Sequence, residues 1–132
     1  MKVLRWIWQF PQNIVGWIYL KTRKLAYHQT YDNKVEYYDV FSGGSVSLGD
    51  YIFIAYPTSE TIHHEYGHHR QSLMLGPLYL LLIGLPSLCG YWWDVWFHDK
   101  WSYDDRDKWY YGLPWEKWAD RLGGVKRYYP NK

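Results

Sequence analysis

The sequence predicts an α+β fold, mostly helical, with a short antiparallel sheet set beside one long helix. Three observations carry this expectation. Segments 58–75 and 114–123 have helix start and stop signals at both ends, residues 35–55 break into short strand-like runs separated by glycine turns, and 132 residues suffice for one domain with a modest core. Within that domain the chain divides into a basic, aromatic amino-terminal segment, residues 1–34, and a body, residues 35–132.

Residues 1–34 hold six Lys/Arg and one Asp, whereas residues 35–132 hold nine Lys/Arg against 12 Asp/Glu, so the overall +2 hides a basic amino terminus. The runs Leu4–Phe10 and Ile14–Leu20, flanked by Lys2, Lys21, Arg23 and Lys24, suit a segment lying on an anionic membrane, or equally an amphipathic cap on the domain. Pro11-Gln12-Asn13 interrupts the apolar run and a small-residue cleavage site is missing, so no cleavable signal peptide is recognised. Val35–Tyr38, Ser45–Leu48 and Tyr51–Ala55 read as strands, with turns at Ser42-Gly43-Gly44 and Gly49-Asp50.

Pro57-Thr58-Ser59-Glu60 supplies a hydroxyl cap and an early carboxylate, and Gly76-Pro77 a stop, which predicts a helix over 58–75. On its wheel Ile62, Tyr66, His69 and Leu73 form the expected core face, while His64, His68 and Gln71 turn toward a cleft. Between Arg70 and Asp94 lie 23 residues without a formal charge, close to the roughly 20 needed to span a bilayer. Pro77, Pro86, Gly76, Gly84 and Gly90 cut the expected uninterrupted helix to about eight residues, more typical of a buried or re-entrant piece. Both a membrane-associated and a cytoplasmic location therefore stay open. The single cysteine, Cys89, excludes an intrachain disulfide and is expected as a small buried apolar residue. Asp94–Tyr111 reads as a loop or irregular helix over the site. Lys126-Arg127-Tyr128-Tyr129 is too short a basic run for a nucleic-acid partner.

His64-Glu65-Tyr66-Gly67-His68 is HExxH, which arises by chance in a chain with six His and four Glu about once in a hundred shuffles. On a helix His64 and His68 share a face and can offer two imidazoles to one tetrahedral zinc, while Glu65, rotated about 100°, can reach a water without occupying a ligand position. Gly67 falls near the metal-facing side, where a missing side chain would let a substrate backbone approach. His63 and His69 point elsewhere. A third ligand is required, and the candidates are His98, Glu116 and the aspartates between Asp94 and Asp120. Glu116 suits best: Pro114 opens a helix, Gly123-Gly124 closes it, and Glu116 shares a face with Asp120, which can accept the other ring N–H of a ligating histidine. Tyr110 or Tyr111 is placed to donate to a developing oxyanion.

HExxH followed by Glu116-Lys117-Trp118-Ala119-Asp120 resembles the gluzincin zinc peptidases, and the ExxAD form is similar to that of integral-membrane metallopeptidases of the CAAX-processing and heat-shock type. The run from His64 to Tyr79 also resembles small bacterial HExGH proteins. The resemblance covers the two motif helices. It implies Zn2+ held by His64, His68 and Glu116, Glu65 as general base, a peptide or protein substrate, and an edge strand, here Tyr51–Ala55, that binds substrate backbone by strand addition. The alternative expectation is a non-catalytic metal-binding or membrane-peripheral interaction protein.

Overall fold

In the computed structural model, which describes residues 2–22, 25–31, 35–40, 45–55 and 58–127, the hydroxyl of Thr58 caps helix α3 (Ser59–Leu75) by accepting from Thr61 N at 3.1 Å. Glu60 sits in the first turn, where the helix dipole favours a carboxylate. Gly76 ends the helix with φ 56°, and a Cβ there would lie 2.3 Å from the Trp8 ring. A glycine is therefore required twice over, by backbone and by space.

Four strands form one mixed sheet: β1 (Leu25–Tyr31), β2 (Val35–Val40), β3 (Val46–Leu48) and β4 (Tyr51–Ile54), in the order β1-β2-β4-β3. β3 and β4 are antiparallel, as expected; β1, a strand the sequence reading does not anticipate, also pairs antiparallel with β2, and β2 lies parallel to β4 from Glu36 opposite Tyr51 to Asp39 opposite Ile54. The two-residue turn Gly49-Asp50 closes the second hairpin, while the expected turn at 42–44 lies outside the described residues. β4 is an interior strand, flanked by β2 and β3, and its Ile52, Phe53 and Ile54 are buried. Ile62 and Tyr66 of α3 pack on Ile52 and Ile54, so this face of α3 is the core face the wheel predicts.

The amino terminus folds as α1 (Lys2–Trp8) and α2 (Phe10–Thr22) with their polarity reversed. Gln9, Gln12, Asn13 and Gly16 are buried, whereas Val3, Ile7, Phe10, Ile14, Trp17 and Ile18 are exposed. The buried amides are bonded to the body. Gln12 Nε2 donates to Ser72 Oγ at 2.7 Å and Gly76 O at 2.9 Å, Ser72 Oγ donates to Gln9 Oε1 at 2.6 Å, and Gln9 Nε2 donates to Asp50 Oδ1 at 3.0 Å. Asn13 Oδ1 accepts from Asp50 N at 2.7 Å, latching the hairpin turn onto α2.

After a 3₁₀ turn at Gly76–Leu78 the chain passes through a π turn at Leu80–Gly84 into α4 (Leu85–Phe97). The prolines and glycines do not cut this helix short, as its sequence suggests. Pro86 offers no N–H and in a regular helix would crowd the carbonyl four residues back; the wider turn, with Leu85 N–H reaching Leu80 O, absorbs it. Leu80–Phe97 is thus 18 residues of helix, long and apolar enough to cross a membrane, and only 11% of it is buried. Leu81, Leu82, Trp93, Trp96 and Phe97 face outward, and Cys89 is exposed too, which corrects the expectation that it is buried. The segment expected as a loop or irregular helix contains a regular helix, α5 (Tyr103–Tyr111), because Ser102 Oγ caps Asp105 N at 3.1 Å and Asp104 and Asp105 occupy the first turn. Asp94 ties it to α4 through two bonds from Arg106, at 3.0 and 2.8 Å. Helix α6 (Pro114–Gly123) follows, with Pro114 in its first turn and Gly124 left-handed at φ 74° as its cap.

Candidate metal centre

The site is made by α3 and α6 crossing at a distance that side chains would forbid. A Cβ on Gly67 would stand 1.8 Å from Ala119 O, and one on Gly123 would stand 1.9 Å from His63 O. Gly67 therefore does not open a path for substrate, as the wheel suggests, but lets α6 lie against α3. The missing side chains and the small, wholly buried Ala119 bring Glu116 and Asp120 across onto the two histidines.

His64 Nε2 and His68 Nε2 lie 3.0 and 2.9 Å from the same atom, Glu116 Oε2. One ligand atom from each of these three buried residues lies within 4.8 Å of the others, so the group could hold a metal ion. The other ring nitrogens are occupied: His64 Nδ1 donates to Asp120 Oδ1 at 2.6 Å and His68 Nδ1 donates to Gln71 Oε1 at 2.6 Å. Gln71 is oriented by its own donation to Trp115 O at 2.9 Å. With both Nδ1 protons used, neutral imidazoles turn two nitrogen lone pairs toward a carboxylate oxygen. Three acceptors converging in a buried site need either extra protons or a cation between them, and this donor set suits a divalent metal. Glu116 Oε1 is held by a short hydrogen bond from Ser87 Oγ of α4, which is also paired with Tyr110 OH at 3.0 Å.

Electrostatics agree with that accounting. Burial alone lowers the affinity of both imidazoles for protons, but Asp120 and Glu116 outweigh it at His64, holding it at about 9, and Glu116 with Glu65 outweighs it at His68, which lies above its ordinary value. Burial raises Glu116 too, and His68 and His64 more than reverse this, leaving it well below the usual carboxylate range. Glu65 differs: burial dominates and raises it against the opposing charges of His68 and His64, and its Oε2 is buried with no hydrogen-bond partner.

Glu65 and His68 form part of the wall of a cavity of about 670 Å³. Ser47, Ser87 and Tyr110 lie with them, and Leu48, Leu80, Leu85, Leu88, Tyr91 and Trp92 make an apolar remainder. Among its lining residues Glu65 is the one carboxylate and there is no Lys or Arg. Tyr110 faces this cavity, with its hydroxyl kept protonated by burial. Tyr111 instead packs edge-on against His64 and under Arg127. His98 is not among the ligands: it pairs with Asp94 at 3.0 Å and stacks on Trp101. The strand bordering the cavity is the edge strand β3, not Tyr51–Ala55, because both sides of β4 are already paired. His69, on the core face, donates from Nδ1 to Gly49 O at 2.8 Å.

Ser87 and Arg127 escape a reading of the sequence, since a serine and an arginine at those separations form no recognisable pattern, whereas Gln71 lies on the cleft side with the two histidines as the wheel predicts. The chain matches no protein-family model, no curated protein and no solved structure. The geometry of the cluster therefore carries the functional argument.

Proposed function

We propose that this protein is a zinc-dependent hydrolase of the metallopeptidase type, working at a membrane surface. The observation that carries the reading is the convergence of two Nε2 atoms and one carboxylate oxygen beside a cavity lined in part by Glu65, one oxygen of which is buried without a hydrogen-bond partner. Two nitrogens and an oxygen, with room for a further ligand, are the donor set of a catalytic rather than a structural zinc, and His64, His68 and Glu116 would hold it. When bound, zinc supplies a Lewis acid and shifts the acidity of water toward neutrality.

The remaining chemistry belongs to the chain. Glu65 takes a proton as water adds to the carbonyl carbon, then passes it to the leaving nitrogen as the C–N bond breaks. Its raised proton affinity suits both halves of that transfer. Asp120 and Gln71 keep the two imidazoles in the tautomer that offers Nε2. Tyr110 lines the cavity with its hydroxyl donating to Ser87 Oγ, and only on turning from that partner does it supply a donor for the carbonyl oxygen. Among the described residues the lining has no Lys or Arg to receive a carboxylate or phosphate, which favours an uncharged, apolar stretch around the bond cleaved. Membrane association draws support from the outward apolar faces of α1, α2 and Leu80–Phe97 and from the basic amino terminus.

A metal-binding protein without turnover is the second reading. It is favoured by Tyr79, whose hydroxyl already donates to Ser47 O at 3.0 Å on the edge strand beside the cavity. One comparison separates the two: wild type and Glu65→Gln, incubated with a broad peptide mixture read by mass spectrometry, with metal content measured alongside. Zinc in both proteins and cleavage only by wild type, reduced about 10²- to 10⁴-fold in the variant, is the expected result. Equal cleavage by both removes Glu65 from the mechanism, and zinc without any cleavage selects the second reading.

A further inference from the structure

We propose that Arg127 is a positioning residue for the metal centre: its guanidinium locks Asp120 onto His64 and so sets how tightly the cluster binds a divalent ion. The inference rests on reading His64, His68 and Glu116 as a metal site. It begins with the path of the chain. After α6, left-handed Gly124 reverses the backbone and Val125 N bonds Asp120 O at 2.8 Å, which carries Arg127 back across the helix it has just left.

There the guanidinium meets three helices at once. Its Nε donates to Asp120 Oδ2 at 2.7 Å and its Nη2 to Asp120 Oδ1 at 3.0 Å, the two-pronged arrangement that fixes a carboxylate in plane and in rotation. Nη1 donates to Glu60 Oε1 at 2.7 Å at the start of α3, and the group lies 3.4 Å from the ring centre of Tyr111 at the end of α5. The Arg127 side chain is 11% exposed. Asp120 Oδ1 is the same atom that accepts from His64 Nδ1, so the plane of one hydrogen bond is set by the other pair. His68, by contrast, is held by a neutral amide with no charged support. Charge points the same way. Glu65, Glu116 and Asp120 bring three negative charges, which a divalent ion and Arg127 together neutralise.

Two effects of removing Arg127 oppose each other. Loss of a nearby positive charge alone tightens cation binding; loss of the clamp frees Asp120, and with it the His64 ring, and weakens binding. Positioning dominates, because the charge of Arg127 is already matched by the carboxylate it holds, whereas nothing else in the described structure orients that carboxylate. Partners that orient metal-binding histidines contribute about 10- to 100-fold in affinity.

The test measures zinc affinity of the full chain by competition with a chromophoric chelator, with circular dichroism to establish folding and the visible spectrum of the cobalt(II)-loaded protein as second readout. Arg127→Gln is expected to bind zinc about 10- to 100-fold more weakly, with a displaced cobalt spectrum. Arg127→Lys keeps the charge without the fork and falls between the two. Glu60→Gln, which removes the solvent-side arm alone, stays within about twofold of wild type. A folded Arg127→Gln with wild-type or tighter zinc affinity and an unchanged spectrum overturns the proposal, reducing Arg127 to a brace. Should that variant not fold, wild-type affinity in Arg127→Lys does the same. A wild type that takes up no zinc overturns this proposal together with the metal-site reading, whereas zinc binding indifferent to Arg127 overturns this one alone.

Discussion

Without an ion, His64 and Glu116 serve as each other's counter-charge, and this gives the metal-free protein a pH dependence that metal should reverse. His64 is held at about 9 in the fold against 6.5 for an unperturbed imidazole. A folded value above the unfolded one stabilises the fold fully below pH 6.5, and the contribution is lost as pH rises through about 9. For one such group the difference is on the order of 3 kcal/mol. Zinc binding runs the other way, since it requires the imidazoles without their second protons and so strengthens with pH. Chelator-stripped protein should therefore melt at progressively lower temperature between pH 6.5 and 9, while zinc-loaded protein should not. Parallel melting curves for the two forms across that range would mean that His64 does not exchange a proton for a metal.

The elements meet through absences of side chains. Gly67 is the clearest case, because helix propensity and packing disagree about it: an alanine gains about 1 kcal/mol in an isolated helix, but its Cβ would enter the space of a backbone carbonyl 1.8 Å away. Backbone cannot step aside as a flexible side-chain tip can, so the steric cost wins. Gly67→Ala should lose about 2–3 kcal/mol, lowering the melting temperature by roughly 5–10 °C, and should weaken metal binding because α6 carries Glu116 and Asp120 away from α3. A variant as stable as wild type, with metal retained, would show that the helices are not held at this crossing. The π turn at Leu80–Gly84 works similarly. It absorbs Pro86 and keeps Leu80–Phe97 continuous, so that one helix presents Ser87 to Glu116 and a row of leucines and tryptophans to the outside.

At the scale of the whole molecule the polar and apolar faces of α1 and α2 are exchanged relative to an ordinary surface helix. Buried amides bonded to the body, with Ile7, Phe10, Ile14 and Trp17 outside, are the arrangement that the proposed membrane surface would favour. The prediction is flotation with liposomes containing anionic lipid. Placing glutamates at Ile7, Ile14 and Leu81, all exposed and away from the cluster, should reduce flotation while leaving zinc content unchanged. Wild-type protein that stays in the aqueous fraction and is monodisperse without detergent would assign these faces to another role.

What the sequence determined by itself is what helix and turn geometry make local. His64 and His68 one turn apart, Glu116 and Asp120 one turn apart, the Thr58 cap, the Pro114 and Gly124 ends and the Gly49-Asp50 turn all follow from spacing within a few residues. Only the tertiary structure decided the rest. The role of Gly67 depends on a carbonyl 52 positions later, the interior place of β4 depends on β2 coming parallel beside it, and the continuity of Leu80–Phe97 depends on a backbone register that no proline count contains. Ser87 and the Glu60 arm of Arg127 join the site for the same reason: hydrogen bonds across tens of residues are chosen by packing, and packing is a property of surfaces the linear chain does not yet have.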